Sequence, residues 1–128
     1  MTIGLEYIPK SVGVKVSGTS VSNPTTVMTC PNGYTAVVCY VALISKKDSV
    51  DAKVSLQLKS PNANGTMVSA ELISDTDAPH GSILKPISDN GFIVVPEGGS
   101  ITCSASVSNQ VYANLSYKLY RNITGGFS

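Results

Sequence analysis

The residues best suited to chemistry lie around the single histidine, His80, which has four acidic residues near it in the sequence: Glu71, Asp75, Asp77 and Asp89. Imidazole and carboxylate groups bind metal ions and transfer protons. The segment around Asp75 and Asp77, however, lacks the glycine and the distal glutamate of a calcium-binding loop, and acidic residues in loops are usually solvated. We therefore predict no metal site here.

The three cysteines, Cys30, Cys39 and Cys103, are the candidate nucleophiles. Their number is odd, their spacing matches no zinc pattern, and no basic partner lies beside them in the sequence. No serine sits in a nucleophile elbow, and no helix is predicted after Gly98 and Gly99 to hold a phosphate. We predict free, buried thiols that act as small hydrophobic groups, no catalytic residue, no cofactor and no enzymatic activity.

Most of the aromatic residues are tyrosines, six in number, and the sequence has no tryptophan. Tyrosines stack on sugar rings, so a carbohydrate-binding platform is one interpretation. Tyr112 and Tyr120 fall on the polar side of the last predicted strand, and an interface between subunits fits exposed tyrosines at these positions better.

Composition excludes several classes of partner. The formal net charge is +1 and the nine Lys and Arg residues are scattered, which predicts no nucleic-acid binding. The longest apolar run, residues 36–44, is far shorter than the roughly 20 residues of a membrane-spanning helix. No signal peptide is visible at the N-terminus, so we expect synthesis in the cytoplasm and no membrane partner.

Residues 1–11 are predicted to form an N-terminal arm, followed by one domain over residues 12–128. Ile3, Leu5, Tyr7 and Ile8 are apolar, and the run stops at Pro9. An apolar arm must dock somewhere, either as an edge strand on its own sheet or as an extension that reaches a neighbouring subunit.

The rest of the chain alternates apolar and polar residues in short runs, which predicts β-strands separated by turns. Residues 101–107 and 111–119 are predicted to form one long hairpin, each strand with a dry and a wet face. Residues 50–59 form a similar amphipathic strand, residues 34–44 a central strand covered on both sides, and residues 75–81 a polar loop. The fold class is all-β: a single antiparallel β-sandwich or jelly roll of about eight strands with an N-terminal arm.

Three stretches resemble a widespread class of small bacteriophage virion proteins with this kind of fold. Residues 30–38 (CPNGYTAVV) are similar to the entry into their first core strand, and residues 91–101 (GFIVVPEGGSI) to their apolar strand, glycine turn and following strand. Residues 111–119 resemble their closing strand, with a Ser-Tyr pair at Ser116 and Tyr117. The turn at residues 97–100 reads Glu-Gly-Gly-Ser, where many relatives have an acidic residue after one glycine.

The resemblance implies a non-enzymatic virion structural protein, most specifically a capsid decoration or cement protein that binds and stabilises the phage head. Tail, neck or fibre accessory proteins, and a carbohydrate-binding module for attachment to the host surface, are the alternatives. The partner would be the major capsid protein or another virion subunit. We also expect a homo-oligomer, with a trimer as one candidate, and a virion component assembled in the host cytoplasm. Six residues are predicted to contact a subunit or the capsid: Ile3, Leu5, Tyr7, Ile8, Tyr112 and Tyr120.

Overall fold

A computed structural model describes residues 6–46, 51–88 and 90–122 of the chain. These residues form nine β-strands: β1 (Tyr7–Val16), β2 (Thr25–Thr29), β3 (Tyr34–Ser45), β4 (Ala52–Pro61), β5 (Met67–Ala78), β6 (Ile83–Leu84), β7 (Ile93–Val95), β8 (Ser100–Ala105) and β9 (Val111–Arg121). In this part of the chain no helix is long and apolar enough to cross a membrane.

The strands form two antiparallel sheets that pack face to face, which confirms the predicted β-sandwich. Sheet 1 has the order β1-β9-β3-β6, with β7 also paired to β3; sheet 2 has the order β2-β8-β4-β5. The inner faces bury a shared apolar core because alternate residues of each strand point inward. Its largest fully buried side chains are Leu43, Leu56, Ile101 and Leu115.

The predicted hairpin of β8 and β9 is wrong, because the two strands belong to different sheets. β8 pairs with β2 and β4, whereas β9 pairs with β1 and β3. Asn109 takes a positive φ of 63° in the connection, and its N–H donates to the Val16 carbonyl at the end of β1. The chain therefore crosses from one sheet to the other between β8 and β9.

Two strands predicted to have a wet face bury polar residues on it instead. On β8, Thr102 and Ser104 are buried, and on β4 so are Ser55 and Gln57. These residues face one another in register, Ser55 opposite Ser104 and Gln57 opposite Thr102. Small polar side chains on adjacent strands shield one another from water. A polar residue that alternates with apolar residues along a strand is therefore not always exposed to solvent.

The predicted loop at residues 75–81 is also wrong in its first half, because β5 continues to Ala78. Lys53 lies opposite Asp77, and Ala52 lies opposite Ala78. The β4–β5 register shifts twice, and Asp75, with a positive φ of 43°, lies at one of the shifts. A bulge of this kind interrupts the alternation while the pairing continues on both sides, which explains why the pattern suggested a loop.

β3 lies inside sheet 1, as predicted, and its outer side is buried at Ala42 but exposed around Cys39 and Tyr40. The β3–β9 register shifts between Val38 and Tyr40, and Cys39 is the extra residue. Both Cys39 and Tyr40 are consequently exposed, so the prediction of a buried thiol is wrong for Cys39. Cys30 and Cys103 are buried, and all three thiols are free.

β1 runs without interruption through the boundary predicted at residue 11. Its residues pair with β9 from Tyr7 opposite Tyr120 to Val16 opposite Val111. From Tyr7 onward the chain is thus an edge strand of its own sheet. Ile3 and Leu5 of the predicted arm lie outside the described residues.

Candidate functional site

The outer face of sheet 1 carries a regular arrangement of aromatic and basic side chains. Val111, Ala113, Leu115 and Leu119 of β9 are buried in the core and Tyr117 packs against it, so the residues that alternate with these five point outward. The outward residues of β9 and their partners on β1 form five pairs: Tyr120 with Tyr7, Lys118 with Pro9, Ser116 with Ser11, Asn114 with Gly13, and Tyr112 with Lys15.

Basic groups lie over tyrosine rings across this sheet. Among the described residues, five such contacts have the cation within 6.0 Å of the ring centroid. The cation–ring pairs are Lys15–Tyr112, Lys46–Tyr112, Lys85–Tyr40, Lys118–Tyr7 and Arg121–Tyr34. Attraction between a cation and the π face of a ring is worth about 0.5 to 1 kcal/mol at exposed sites, so these contacts favour the observed ring orientations.

At one end of the sheet, Tyr7, Lys118 and Tyr120 lie on the outer face, and Ile8, opposite Leu119, lies beside them on the inner face. We call these four residues the Tyr7 cluster. The Tyr7 and Tyr120 rings have centroids 5.6 Å apart and planes tilted by 48°, and Lys118 Nζ lies 4.7 Å from the Tyr7 centroid. Tyr7 is 46% exposed and Ile8 is 44% exposed. Large apolar groups so accessible on a rigid edge strand indicate a contact surface.

A groove of about 340 Å³ runs along the inner side of this end and is lined by Glu6, Tyr7, Ile8, Tyr34, Leu119 and Arg121. Arg121 lies 6.0 Å from the Tyr34 ring centroid. A hydrogen bond with Tyr34 raises the pKa of the Arg121 guanidinium.

At the opposite end lies a larger groove, of about 660 Å³, which we call the Tyr112 groove. It is lined by Ile44, Ser45, Lys46, His80, Gly81, Ile83 and Tyr112. Tyr112, Ile44 and Ile83 are in register on three neighbouring strands and form its apolar floor. Lys15 and Lys46 place their Nζ atoms 5.9 and 5.7 Å from the Tyr112 centroid.

His80 lies at the rim of this groove and contacts Asp51. Asp51 Oδ1 accepts from the backbone N–H of His80 at 3.0 Å and lies 2.7 Å from its Nδ1. Both hydrogen bonds lower the pKa of the Asp51 carboxyl, and the bond from the backbone N–H of His80 has the larger effect. The Asp51 carboxylate is thus engaged by His80.

The two ends are separated by the length of one strand. Tyr112 and Tyr120 are eight residues apart on β9, about 26 Å at the rise of a β-strand. The structure therefore brings Tyr7, Ile8 and Tyr120 together and places Tyr112 at a different location. The lysines and Ile83 were missed because only the register across strands reveals which ring each one contacts.

The outer face of sheet 2 has a different character. It presents mainly hydroxyl and amide side chains, and its acidic residues are on β5: Glu71, Asp75 and Asp77. Asp77 pairs with Lys53 at 3.6 Å, and the Asp75 N–H donates to the Ser55 hydroxyl at 3.0 Å. Both side chains of the ion pair are mostly exposed, so it contributes little stability.

The residues first considered for metal binding are dispersed. His80 contacts Asp51, Asp77 contacts Lys53, and Asp89 lies outside the described residues. Across the described ranges, no three His, Cys, Asp or Glu residues are grouped closely enough to hold a metal ion. Burial raises the pKa of the Cys103 thiol to about 12 and also raises that of Cys30, which makes both thiols poor nucleophiles.

Comparisons with known proteins found similarity in three-dimensional structure only. No protein-family model matches the chain, and no curated protein matches it in sequence. One similar structure is that of infectious bursal disease virus, Gx strain, with 12% sequence identity and a TM-score of 0.48; the match covers 94% of this chain and 34% of the other. A second is the VP2 subviral particle of infectious bursal disease virus, with 10% identity and a TM-score of 0.46; the match covers 89% of this chain and 33% of the other. A third is the CBM22-1–GH10 part of the Clostridium thermocellum xylanase Xyn10B in complex with xylohexaose, with 9% identity and a TM-score of 0.44; the match covers 98% of this chain and 26% of the other.

These similarities concern the β-sandwich alone. The chain spans between 26% and 34% of the length of the three matched chains, at identities of 9% to 12%. With TM-scores below 0.5, these similarities say nothing about activity.

Proposed function

We propose that the protein is a non-enzymatic virion component, specifically a decoration protein that docks on the capsid through the Tyr7 cluster. The exposure of Tyr7 and Ile8 on a paired strand is the observation that carries the proposal. The resemblance of residues 30–121 to small phage virion proteins supplies the class of partner. The role as a tail or neck accessory protein would use the same surface on a different virion subunit.

The Tyr7 cluster is suited to a permanent contact because it is already ordered. β1 holds Tyr7 and Ile8 through a continuous ladder to β9, and the Lys118 ammonium holds the Tyr7 ring. Fewer rotamers are then lost on docking, which lowers the entropic cost of association. Burying exposed aromatic and aliphatic groups contributes about 25 cal/mol per Å² of apolar surface.

Ile3 and Leu5, which precede β1 in the sequence, would extend the contact as predicted. On a capsid, many copies of the protein bind a lattice of identical sites. Modest individual interfaces are then sufficient, because neighbouring contacts on the lattice add to one another.

The experiment is co-sedimentation of the full chain with shells of the parent virus assembled without it. We expect the double substitution Ile8→Ser and Tyr120→Ala to weaken binding at least tenfold, and Ile3→Ser with Leu5→Ser to weaken it as well. The matched control is Ile83→Ser, which removes an exposed isoleucine, 60% accessible, from the opposite end. Circular dichroism and thermal unfolding would verify that each variant folds.

Equal binding of the Tyr7-cluster variant and the Ile83 control would contradict docking through this end. Failure of the unmodified protein to bind shells, combined with binding to isolated tails, would replace the decoration role by the tail accessory role. Light scattering on the free chain, before and after the Ile3 and Leu5 substitutions, tests whether these residues also join copies into a homo-oligomer.

A further inference from the structure

We propose that a polar groove on the outer face of sheet 2 binds a neutral sugar and holds one pyranose ring. We call it the Ser104 groove: Ser55, Ser104 and Ser106 lie on its floor, and Glu71 and Asp75 lie on one wall. Its volume of about 210 Å³ is below the range of about 300 to 1,000 Å³ typical of sites for drug-sized ligands, so the groove suits one small ring. The inference goes beyond the decoration role and does not depend on it, because the groove is on the sheet opposite to the Tyr7 cluster.

The floor of the groove is a set of hydroxyl groups in fixed register. Ser55 and Ser104 lie opposite each other on β4 and β8, and each is only 5% exposed. Ser55 Oγ accepts from the N–H of Asp75 at 3.0 Å. Ser106 Oγ accepts from the N–H of Lys53 at 2.8 Å. Because both oxygens accept from the backbone, each of these two serines can donate its O–H proton to a ligand.

Ser104 is the residue that points most directly to a ligand. Its hydroxyl group bonds to no other residue in the described ranges, although the side chain is almost fully buried. A polar group buried without a hydrogen bond is unfavourable. Thr102, two residues earlier on β8, has a similar hydroxyl group that is sealed from solvent, whereas Ser104 lines the groove. A ligand in the groove can therefore supply the hydrogen bond that the Ser104 hydroxyl lacks within the described chain.

The wall formed by β5 adds strong acceptors. The register shift of β5 at Asp75 interrupts its alternation, so the consecutive residues Ser74 and Asp75 both line the groove. Glu71 lies on the same wall. Carboxylate oxygens accept from the hydroxyl groups of a sugar, while the serines of the floor donate to its oxygens. Lys53 also lines the groove and forms an ion pair with Asp77 at 3.6 Å.

The mixture of donors and acceptors favours a neutral ring over an ion. An anion would be repelled by the carboxylates of Glu71 and Asp75. A metal ion would lie beside the Lys53 ammonium, and no group of three His, Cys, Asp or Glu residues suited to a metal occurs in the part of the chain described. A sugar carries no charge, and its hydroxyl groups both donate and accept. Val21, on the wall formed by the connection between β1 and β2, is 43% exposed and offers an apolar contact to the C–H groups of the ring.

The test is titration of the ¹⁵N-labelled full chain with a panel of neutral monosaccharides: glucose, galactose, mannose, xylose, fucose and N-acetylglucosamine. NMR suits a site that binds mainly through hydrogen bonds, because it measures weak binding residue by residue. We expect saturable shifts at Ser55, Ser104 and Glu71 with at least one sugar, and none at Tyr112 on the other sheet. Calcium chloride and sodium phosphate are titrated separately as the ionic alternatives.

Two substitutions in the groove should weaken binding of the sugar. Ser104→Ala should weaken it at least tenfold without lowering thermal stability, because the hydroxyl group that it removes has no partner within the described chain. Glu71→Gln should also weaken it, because an amide oxygen is a poorer acceptor than a carboxylate. The matched control is Ser100→Ala, on the same side of β8 but outside the groove, which should leave binding unchanged.

Three results would each overturn the proposal: no saturable shift with any sugar of the panel, shifts at Tyr112 without shifts in the Ser104 groove, or equal weakening by Ser104→Ala and Ser100→Ala. Saturable binding of calcium or phosphate at the same residues, tighter than that of every sugar, would overturn it in favour of an ionic ligand. Virus shells take no part in these titrations, so their outcome and that of the shell-binding experiment are separate.

Discussion

The two ends of β9 use the same elements to build two different surfaces. At each end a tyrosine of β9 lies opposite a β1 residue, and a lysine lies over a ring. At the Tyr7 end the neighbours are the exposed Tyr7 and Ile8, and the result is a projecting apolar cluster. At the Tyr112 end Ile44, Ile83 and His80 enclose the ring, and the result is a groove. The difference shows that the neighbouring strands, rather than the tyrosine and lysine themselves, determine what each end can bind.

A substitution that destabilises β9, the strand that both ends share, should have the largest effect on stability. Leu115 is fully buried at the middle of β9, and Leu115→Ala would leave a cavity that costs about 2 to 5 kcal/mol of unfolding free energy. Urea denaturation is the measurement, and both surfaces should be lost together as the protein unfolds. The control is Ser116→Ala on the outer face, for which we expect less than about 0.5 kcal/mol. Similar costs for both variants would contradict the assignment of the buried face.

The reactivity of the thiols tests whether the middle of the outer face of sheet 1, between the two ends, is open to solvent. Cys39 is exposed at the β3 bulge, whereas Cys103 is buried and its pKa is raised to about 12. At pH 8 we expect one rapidly reacting thiol in the native protein and three after denaturation, counted with a chromogenic disulfide reagent. A Cys39→Ser variant should lose the fast phase. Rapid reaction of two or more thiols in the native state would show that the core is open.

A double-mutant cycle would measure how strongly Lys118 holds the Tyr7 ring. With Tyr7→Leu and Lys118→Gln, we expect a coupling free energy of about 0.5 to 1 kcal/mol, because the ammonium group lies 4.7 Å from the ring centroid at a partly exposed site. The unfolding free energies of the four proteins give this value. A coupling indistinguishable from zero would mean that the ring is not positioned in advance for docking.

The corresponding cycle at the other end should give a smaller value. Lys15 lies 5.9 Å from the Tyr112 centroid, farther than Lys118 from Tyr7, so its coupling with Tyr112 should be the weaker of the two. The substitutions would be Lys15→Gln and Tyr112→Leu. A larger coupling than at Tyr7 would contradict this contrast between the ends.

The sequence predicted which side of a strand faces the core better than it predicted which strands are neighbours. In β9 the alternation from Val111 to Leu115 matches the buried positions because one apolar set must face the core. The pairing of β8 could not be obtained in this way, because alternation is the same whether a strand pairs with its successor or lies across the core from it. The predicted exposure of Ser104 is wrong for a related reason, since a small hydroxyl group is easily buried beside Ser55.

The candidate sites were predictable only in part. Tyr7, Ile8 and Tyr120 were identified as contact residues because they are apolar or aromatic at positions that need a partner, and the structure brings them together. That they are separate from Tyr112 follows from simple counting along β9. The groove itself could not be predicted, because Ile83 reaches Ile44 only through a two-residue pairing between distant parts of the chain.

Binding of single variants to shells tests most directly whether docking uses one end of sheet 1 only. The account predicts that Tyr120→Ala weakens binding to shells, whereas Tyr112→Ala, at the other end of the same strand, leaves it unchanged. Equal loss of binding in the two variants would contradict the account, because it would place Tyr112 in the same interface as Tyr7 and Tyr120.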